Sequence, residues 1–162
     1  MLINNSSANF TRPNDTTAYA SGDLVANSTT AGSVSPLTLT LANPSQGQTL
    51  IVRCRLSKSG TTATNANFRV HFYDASPVVA NGDNGAWSSN KAANYLGYID
   101  VASMLAFTDG CTGFAGVTAG AEMRIRLSAG GASIYALLEA KADYTPAAQE
   151  VFTLTAECMD NQ

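Results

Sequence analysis

The sequence contains few charged residues. Asp, Glu, Lys and Arg make up 13% of its 162 residues, about half the share usual in globular proteins. The formal net charge of -3 argues against a chain that binds nucleic acid through its overall charge. With so few charges the surface must be covered mainly by Ser, Thr, Asn, Gly and Ala, which is common among β-rich proteins that pack into larger assemblies.

Cysteine is also scarce, and cofactor motifs are absent. The three cysteines, Cys54, Cys111 and Cys158, are odd in number and widely spaced, which excludes a disulfide framework and a zinc site of the usual spacing. We expect buried free thiols at Cys54 and Cys158, and synthesis in a reducing cytosol. No GxGxxG or P-loop sequence occurs, and we expect no cofactor and no metal.

Targeting and membrane segments are missing from the sequence as well. The first residues, MLINNSSANFTRPND, have neither a basic start nor an apolar stretch, so they do not form a signal peptide. No run is long and apolar enough to span a membrane as a helix. We therefore expect neither secretion through a signal peptide nor contact with a membrane.

Period-2 alternation of apolar and polar residues is the strongest pattern that the sequence does contain. Side chains of a strand point to opposite faces in turn, so the alternation predicts half-buried β-strands. It occurs at residues 37–41, 49–57, 68–73, 122–127, 134–141 and 151–158. Many strands separated by turn sequences, with no long helix, predict an all-β fold: an antiparallel, jelly-roll-like β-sandwich in a single domain.

The alternation also predicts the core and two hairpins. The polar linker at residues 57–67 suggests that the two strands around it form a long hairpin at the centre of a sheet, and SAGG at residues 128–131 suggests a second hairpin. The inward positions give the predicted core: Leu39, Leu50, Val52, Cys54, Phe68, Val70, Phe72, Ile125, Leu127, Ile134, Leu138, Phe152 and Leu154.

Two stretches lack this alternation. Residues 1–12 are polar, so we expect an N-terminal arm that is ordered only by a partner chain, followed by the β-sandwich domain over residues 13–162. Residues 74–110 hold several turn sequences and the only tryptophan, Trp87. Because a structureless loop of this length is unusual in a compact domain, we expect small elements there, a helical turn within 91–96 and a strand over 98–101, and an interaction surface.

Catalytic motifs are not found. His71 is the only histidine and no GxSxG occurs, so we expect a surface or interface histidine, no catalytic residue and no enzyme activity. The carboxylates in or near residues 74–110 leave a glycoside hydrolase pair open, although turn chemistry explains them equally well. The segment NGDNG around Asp83 lacks the ligand spacing of an EF-hand, and whether calcium binds there is left open.

The arginines are placed non-randomly on the predicted strands. Five of the nine basic residues fall on polar strand faces: Arg53, Arg55, Arg69, Arg124 and Arg126. In one sheet they would form a basic stripe suited to carboxylates of a partner. Cross-strand pairing with Glu122, Glu139 or Glu157 is an equal alternative. These five arginines, with Arg12 and Trp87, are the candidate interface residues.

Two passages resemble small virion proteins of tailed bacteriophages, many of which are encoded near the major capsid gene. The first is RPNDTTAYASGD at residues 12–23; the second comprises FYDASP at 72–77, GDN at 82–84 and ANYLG at 93–97. The resemblance implies a head decoration (cement) protein: a β-sandwich, often trimeric, on the capsid exterior, with no catalytic residues to transfer. By itself it does not separate a decoration protein from a tail or fibre component.

The function expected from these features is structural. We expect a virion protein that binds the outside of a bacteriophage head and stabilises it as a homotrimer, with the major capsid protein as its other partner and no nucleic acid. It would be made in the bacterial host cytoplasm and reside on the capsid exterior. The alternative is a receptor- or carbohydrate-binding head domain of a phage tail fibre, which an exposed aromatic platform near Trp87 and Tyr95 would favour. An enzyme such as a glycan hydrolase ranks last.

Overall fold

The computed structural model describes residues 2–41, 48–118, 121–126 and 132–161. Over these residues the structure is all-β, as predicted, and its helical elements are two 3₁₀ turns, at Ala31–Ser33 and Ala92–Asn94. The strands are β1 (Leu2–Thr11), β2 (Leu24–Val25), β3 (Leu37–Leu41), β4 (Gln48–Lys58), β5 (Phe68–Tyr73), β6 (Tyr95–Val101), β7 (Leu105–Phe107), β8 (Gly110–Gly116), β9 (Met123–Arg126), β10 (Ala132–Ala140) and β11 (Val151–Asn161).

Two antiparallel sheets form a β-sandwich. Sheet one has the order β1-β11-β4-β8-β7, with β9 beside the first half of β4. Sheet two has the order β2-β10-β5-β6, with β3 beside the first half of β10. The predicted antiparallel sandwich is confirmed. The chain passes repeatedly from one sheet to the other, which a jelly-roll-like connectivity requires, and the finer class stays a prediction.

Both predicted hairpins are wrong. Strand β4 pairs with β11, β8 and β9 in sheet one, whereas β5 pairs with β10 and β6 in sheet two. Strands β9 and β10 are likewise in different sheets, and most of the turn expected between them lies outside the described residues. The linker at residues 59–67 is long enough to cross the roughly 10 Å between packed sheets. Alternation specifies which face of a strand is buried but not which strand is its neighbour.

The predicted core is largely confirmed, with one local shift in β4. Ile51 is fully buried, whereas Leu50 and Val52 are only half-buried. Arg53 pairs with Glu157 and Ile51 with Cys158, so the intervening Val52 has no partner on β11. Such a bulge reverses the alternation on one side of it. The other predicted core residues are buried, except Leu127, which lies outside the described residues: Leu39, Cys54, Phe68, Val70, Phe72, Ile125, Ile134, Leu138, Phe152 and Leu154.

Residues 2–11 form an edge strand rather than the loose arm that we expected. Strand β1 pairs with β11 along its whole length, from Leu2 opposite Asp160 to Thr11 opposite Val151. Its inward residues include Ser6 and Ala8, which are too small or too polar to reveal the alternation in the sequence. Phe10 stacks on Phe152 with ring centroids 5.6 Å apart. Backbone pairing and one aromatic contact therefore hold this segment to its own chain.

Residues 74–94 cross the outer face of sheet two and bury part of it. Leu24, Tyr73, Val79 and Leu137 form a small second core there, with Trp87 packed against it. The predicted elements further along are confirmed, since the 3₁₀ turn Ala92–Asn94 falls within 91–96 and β6 includes 98–101. This crossing gives sheet two a covered outer face and leaves a pocket beside β6.

Candidate functional site

An aromatic pocket lies on the outer face of sheet two, where residues 74–94 cross it. The register of β5 and β6 contributes to it by placing Tyr98 opposite His71 and Tyr95 opposite Tyr73. Its volume is about 370 Å³. Its lining residues are Arg69, His71, Tyr73, Trp87, Ser89, Ala92, Tyr95 and Tyr98.

His71 is held in the aromatic pocket by three neighbours and is only 4% exposed. Its Nε2 lies 2.9 Å from Oε2 of Glu139, and its Nδ1 lies 3.0 Å from the Tyr95 hydroxyl. Its ring stacks on Trp87, with centroids 4.0 Å apart. Burial lowers the pKa of His71, although the hydrogen bond with Glu139 acts in the opposite direction. The imidazole is therefore mostly neutral at pH 7.

The directions of these hydrogen bonds follow from the charge of Glu139. Burial acts to raise the pKa of Glu139, but hydrogen bonds from His71 and Lys141 outweigh it and the pKa is lowered. The ionised carboxylate can only accept, so Nε2 of His71 donates to it and Nδ1 accepts from the Tyr95 hydroxyl. Burial raises the pKa of Tyr95 to about 12, which keeps this hydroxyl protonated.

The position of His71 differs from the surface or interface location that we expected. It does lie on the polar face of β5, but Trp87 covers it and Glu139 reaches it from β10. Its hydrogen-bond partners are a tyrosine and a carboxylate, so within the described chain His71 is not paired with a Ser, Thr or Cys nucleophile. The absence of catalytic residues stays a prediction.

Two buried donors beside the pocket have no hydrogen-bond partner among the described residues: the Tyr73 hydroxyl and Nε1 of Trp87. Burial raises the pKa of Tyr73, and the nearby Ser89 acts in the opposite direction, yet no hydrogen bond of normal geometry joins these two side chains. Buried polar groups without a partner are rare in folded proteins. Both donors belong to side chains that line the aromatic pocket.

Arg69 and Asp100 form a charged rim that is neutral as a pair. Nε and Nη2 of Arg69 donate to the two carboxylate oxygens of Asp100, at 2.7 and 2.8 Å. The hydrogen bond from Arg69 lowers the pKa of Asp100. The guanidinium also lies 3.9 Å from the ring centroid of Tyr98, a favourable cation–π distance. Arg69 is thus engaged within its own chain.

Arg12 is buried and joins the two passages that carry the phage resemblance. Its Nη2 donates to Oδ2 of Asp83 at 2.7 Å, and its Nε donates to the Tyr19 hydroxyl. The Tyr19 hydroxyl and the backbone N–H of Ala26 both donate to Oδ1 of Asp83, each at 2.7 Å. Residues 12–26 and the loop around Asp83 are therefore fixed to each other. The Asp83 carboxylate is occupied by protein donors and faces a guanidinium, an arrangement that disfavours calcium.

Four of the five strand arginines share the outer face of sheet one. Arg53 and Arg55 lie on the second half of β4, and Arg124 and Arg126 lie on β9 beside its first half. Arg69 is on sheet two, so the five do not form one stripe. Arg53 donates two hydrogen bonds to Glu157, both 2.9 Å long, which is the cross-strand pairing that we considered.

Exposed apolar side chains share this face of sheet one. Leu105 and Phe107 on the edge strand β7 are 66% and 52% exposed, and Phe114 on β8 is 56% exposed. We call these three residues the apolar patch. The Arg53 guanidinium lies 5.3 Å from the Phe114 ring centroid. At the opposite edge of the sheet, Ile3 on β1 is 68% exposed.

Neither a metal cluster nor a membrane-spanning helix occurs among the described residues. No group of three or more His, Cys, Asp or Glu side chains in the described ranges is arranged to hold a metal ion. No helix in this part of the chain is long and apolar enough to cross a membrane. The three cysteines are buried and none forms a disulfide bond, and burial raises the pKa of the Cys54 thiol to about 12.

Comparisons with known proteins give no family for this chain. No protein-family model matches it, and no curated protein matches it. Among solved structures it is similar to the cryo-EM structure of the giant freshwater prawn Macrobrachium rosenbergii extra small virus (XSV) VLP. The identity is 13%, the alignment covers 99% of this chain and 80% of that chain, and the TM-score is 0.25. A likeness at this level carries no argument about function.

Proposed function

We propose that this chain is a structural protein of a virus particle, a decoration (cement) protein that binds the outside of a tailed-bacteriophage head as a homotrimer. The observation that carries the proposal is the outer face of sheet one. That face presents the apolar patch and four arginines, and it belongs to a chain with few charges and a pI of about 4.9.

The apolar patch supports contacts with other chains. Neighbouring apolar side chains that are more than half exposed mark interaction sites more often than isolated ones do. Aromatic residues and Arg are also enriched at interface centres, and Phe114 lies against Arg53. Leu105 and Phe107 come from residues 74–110, and Ile3 comes from residues 1–12. Each of the two stretches that we expected to contact other chains thus contributes exposed apolar side chains to this face.

The phage resemblance supports the choice of particle and the number three. Its two passages, distant in sequence, contact each other through Arg12, Tyr19 and Asp83. One residue of the second passage, Asp83, is therefore fixed to two residues of the first. A trimer with rotational symmetry uses head-to-tail contacts, in which two different surfaces meet. The basic face of one copy therefore need not contact the basic face of the next copy.

The proposed action is mechanical. A trimer bound across several capsid subunits adds contact area where internal pressure separates them. Each contact needs only a modest free energy, because linked contacts act together with a high effective concentration. This role requires a rigid scaffold and an adhesive face, and it requires no reacting group.

The test compares two substitutions of exposed apolar residues. Phe114→Asp places a charge in the apolar patch, and Val78→Asp places one at a residue that is 58% exposed on residues 74–94. Neither side chain is buried, so both variants should fold. We expect the unmodified protein and Val78→Asp to have the mass of a trimer by light scattering and to bind heads that lack the protein. Phe114→Asp should lose one or both properties.

Two results would contradict the proposal. One is a strictly monomeric mass at micromolar concentration combined with no binding to heads. The other is full assembly and binding by Phe114→Asp, which would remove the apolar patch from any role in the particle.

A further inference from the structure

We propose that the aromatic pocket is a binding site for one ring of a neutral carbohydrate. The pocket is on sheet two, away from the face that we assign to assembly. Its volume of about 370 Å³ lies in the range of small-molecule sites in proteins. The inference does not depend on the proposed function, because a head decoration protein and a fibre component could each bind a glycan.

Aromatic side chains provide the surfaces that a sugar ring requires. Tyr95 and Tyr98 are 38% and 50% exposed, so parts of their rings are open to a ligand. Trp87 also lines the pocket and is fixed by stacking on His71. The apolar faces of pyranose rings, which carry C–H groups, pack against aromatic side chains. A rigid aromatic side chain loses little conformational entropy when it binds.

The unpaired donors indicate a ligand that can accept hydrogen bonds. The Tyr73 hydroxyl and Nε1 of Trp87 are buried and have no partner in the described ranges. Leaving buried donors unpaired is unfavourable. Two unpaired donors beside the pocket therefore indicate a ligand that binds there and accepts their hydrogen bonds. The hydroxyl oxygens of a sugar are acceptors of the required kind.

The pocket also offers an acceptor. Because the Tyr95 hydroxyl donates its hydrogen to Nδ1 of His71, its oxygen can only accept from a ligand. The carboxylate of Glu139 enforces this direction through the other nitrogen of His71. A hydroxyl group both donates and accepts, so it suits this acceptor and the two unpaired donors of the pocket-lining side chains.

The charges around the pocket favour a neutral ligand. Arg69 is paired with both carboxylate oxygens of Asp100. Glu139 is paired with His71 and with Lys141. A phosphate or carboxylate ligand would have to separate Arg69 from Asp100, and a cationic ligand would have to displace His71 or Lys141.

The chain provides its own probe for the experiment, because Trp87 is its single tryptophan. The purified protein is titrated with the methyl glycosides of glucose, galactose, mannose and N-acetylglucosamine while the tryptophan emission is recorded. We expect a saturable change with at least one of them in the millimolar range. If none of the four binds at tens of millimolar, the proposal is overturned.

Variants then locate the binding. Tyr73→Phe removes an unpaired hydroxyl and keeps the ring, and we expect binding about tenfold weaker, the loss of roughly one hydrogen bond. Trp87→Phe should weaken binding similarly, measured by saturation-transfer NMR because the fluorophore is gone. The matched control is Tyr135→Phe, since Tyr135 lies opposite Tyr73 on β10 and does not line the pocket.

Equal binding by all three variants would place the sugar elsewhere and overturn the proposal. Near-UV circular dichroism establishes that each variant is folded, and the titration of the unmodified protein does not depend on any variant. The experiment is independent of assembly, which is measured by particle mass and by binding to heads. Failure of either proposal therefore leaves the other to be judged on its own result.

Discussion

His71 is a buried imidazole whose neighbours come from distant parts of the chain. It lies on the polar face of β5, where Trp87 and Glu139, which are 16 and 68 positions away in the chain, contact it. The consequence is a neutral imidazole between a carboxylate and a tyrosine, with Arg69 and Asp100 nearby. This placement gives the residue a pH dependence that an exposed histidine would lack.

We expect the folded protein to lose stability as the pH falls below the ordinary histidine pKa of 6.5. The pKa of His71 is lowered in the folded state. Between the lowered pKa and 6.5 the unfolded chain therefore binds more protons than the folded chain, and the free energy of unfolding falls. Thermal melts between about pH 7 and pH 5 measure the effect, and emission from Trp87, in contact with the ring, should change in the same range.

The control for this pH effect is His71→Gln. The chain has only one histidine, so the variant should show a much flatter melting temperature over the same interval. An unchanged pH dependence in the variant would assign the effect to other groups, such as Asp100, whose pKa is lowered by the hydrogen bond from Arg69.

A second prediction at the residue scale concerns a fully buried ion pair. Nζ of Lys58 lies 3.1 Å from Oε1 of Glu150, and both side chains are 0% exposed. The Tyr144 hydroxyl also donates to this carboxylate, at 2.7–2.8 Å. Lys58→Met would leave the carboxylate buried without a cation, so we expect a loss of about 3–5 kcal/mol in the free energy of unfolding, measured by denaturant titration.

The matched comparison is the exposed pair of Arg53 and Glu157. Arg53 has a side chain that is 50% exposed, and pairs of this kind contribute little to stability. Arg53→Met should therefore leave the unfolding midpoint nearly unchanged. Similar losses in the two variants would show that burial does not distinguish these ion pairs.

At the scale of elements, β1 is the strand whose removal is most informative. It is an edge strand whose loss would leave the long strand β11 without a neighbour on that side. We expect a chain without residues 2–10 to fold with lower stability, because it loses the pairing with β11 and the contact between Phe10 and Phe152. We also expect weaker binding to heads. Thermal melts and co-sedimentation with heads measure the two effects.

Ile3→Ser separates the two contributions of β1. Ile3 is 68% exposed and points away from the core, so the substitution keeps the strand and removes an apolar contact with other chains. Weaker head binding at unchanged stability would assign the contact to Ile3. Unchanged head binding after deletion of the whole segment would show that β1 serves the sandwich alone.

At the scale of the whole molecule, charge is distributed unevenly between the faces. The chain has a net charge of -3, yet Arg53, Arg55, Arg124 and Arg126 lie on the outer face of sheet one, where Glu157 pairs with Arg53 and leaves the other three arginines in excess. A basic face on an acidic chain can orient its approach to an acidic surface. It can do so without giving the molecule a general affinity for polyanions.

We therefore expect attachment to heads to weaken as salt is raised. The screening length falls from about 10 Å at 0.1 M to about 3 Å at 1 M, which removes long-range attraction and leaves apolar contacts intact. Co-sedimentation across this range measures the effect, and replacing Arg124 and Arg126 with Gln should reduce the salt dependence. Attachment that does not change with salt would assign binding to the apolar patch alone.

The pattern of apolar and polar residues was enough to predict the fold class and most of the core. Alternation at residues 37–41, 68–73 and 151–158 identified strands and their inward faces. Successive side chains of a strand point to opposite faces, so the polarity of each residue indicates the face on which it lies. It did not reveal β1, whose inward residues before Phe10 are small or polar. It also misread β4 at Val52, where the extra residue of a bulge changed the phase.

Which strands are neighbours, and where the aromatic pocket lies, became visible in the folded chain and not in the sequence. β4 and β5 look like a hairpin but are in different sheets, since hydrogen-bond pairing is a relation between distant segments that a local pattern does not encode. The same is true of the pocket, whose residues come from β5, β6 and the crossing at residues 74–94. Trp87 and Tyr95 stood out in the sequence as aromatic residues, but only folding brought them together beside His71 and the unpaired Tyr73 hydroxyl.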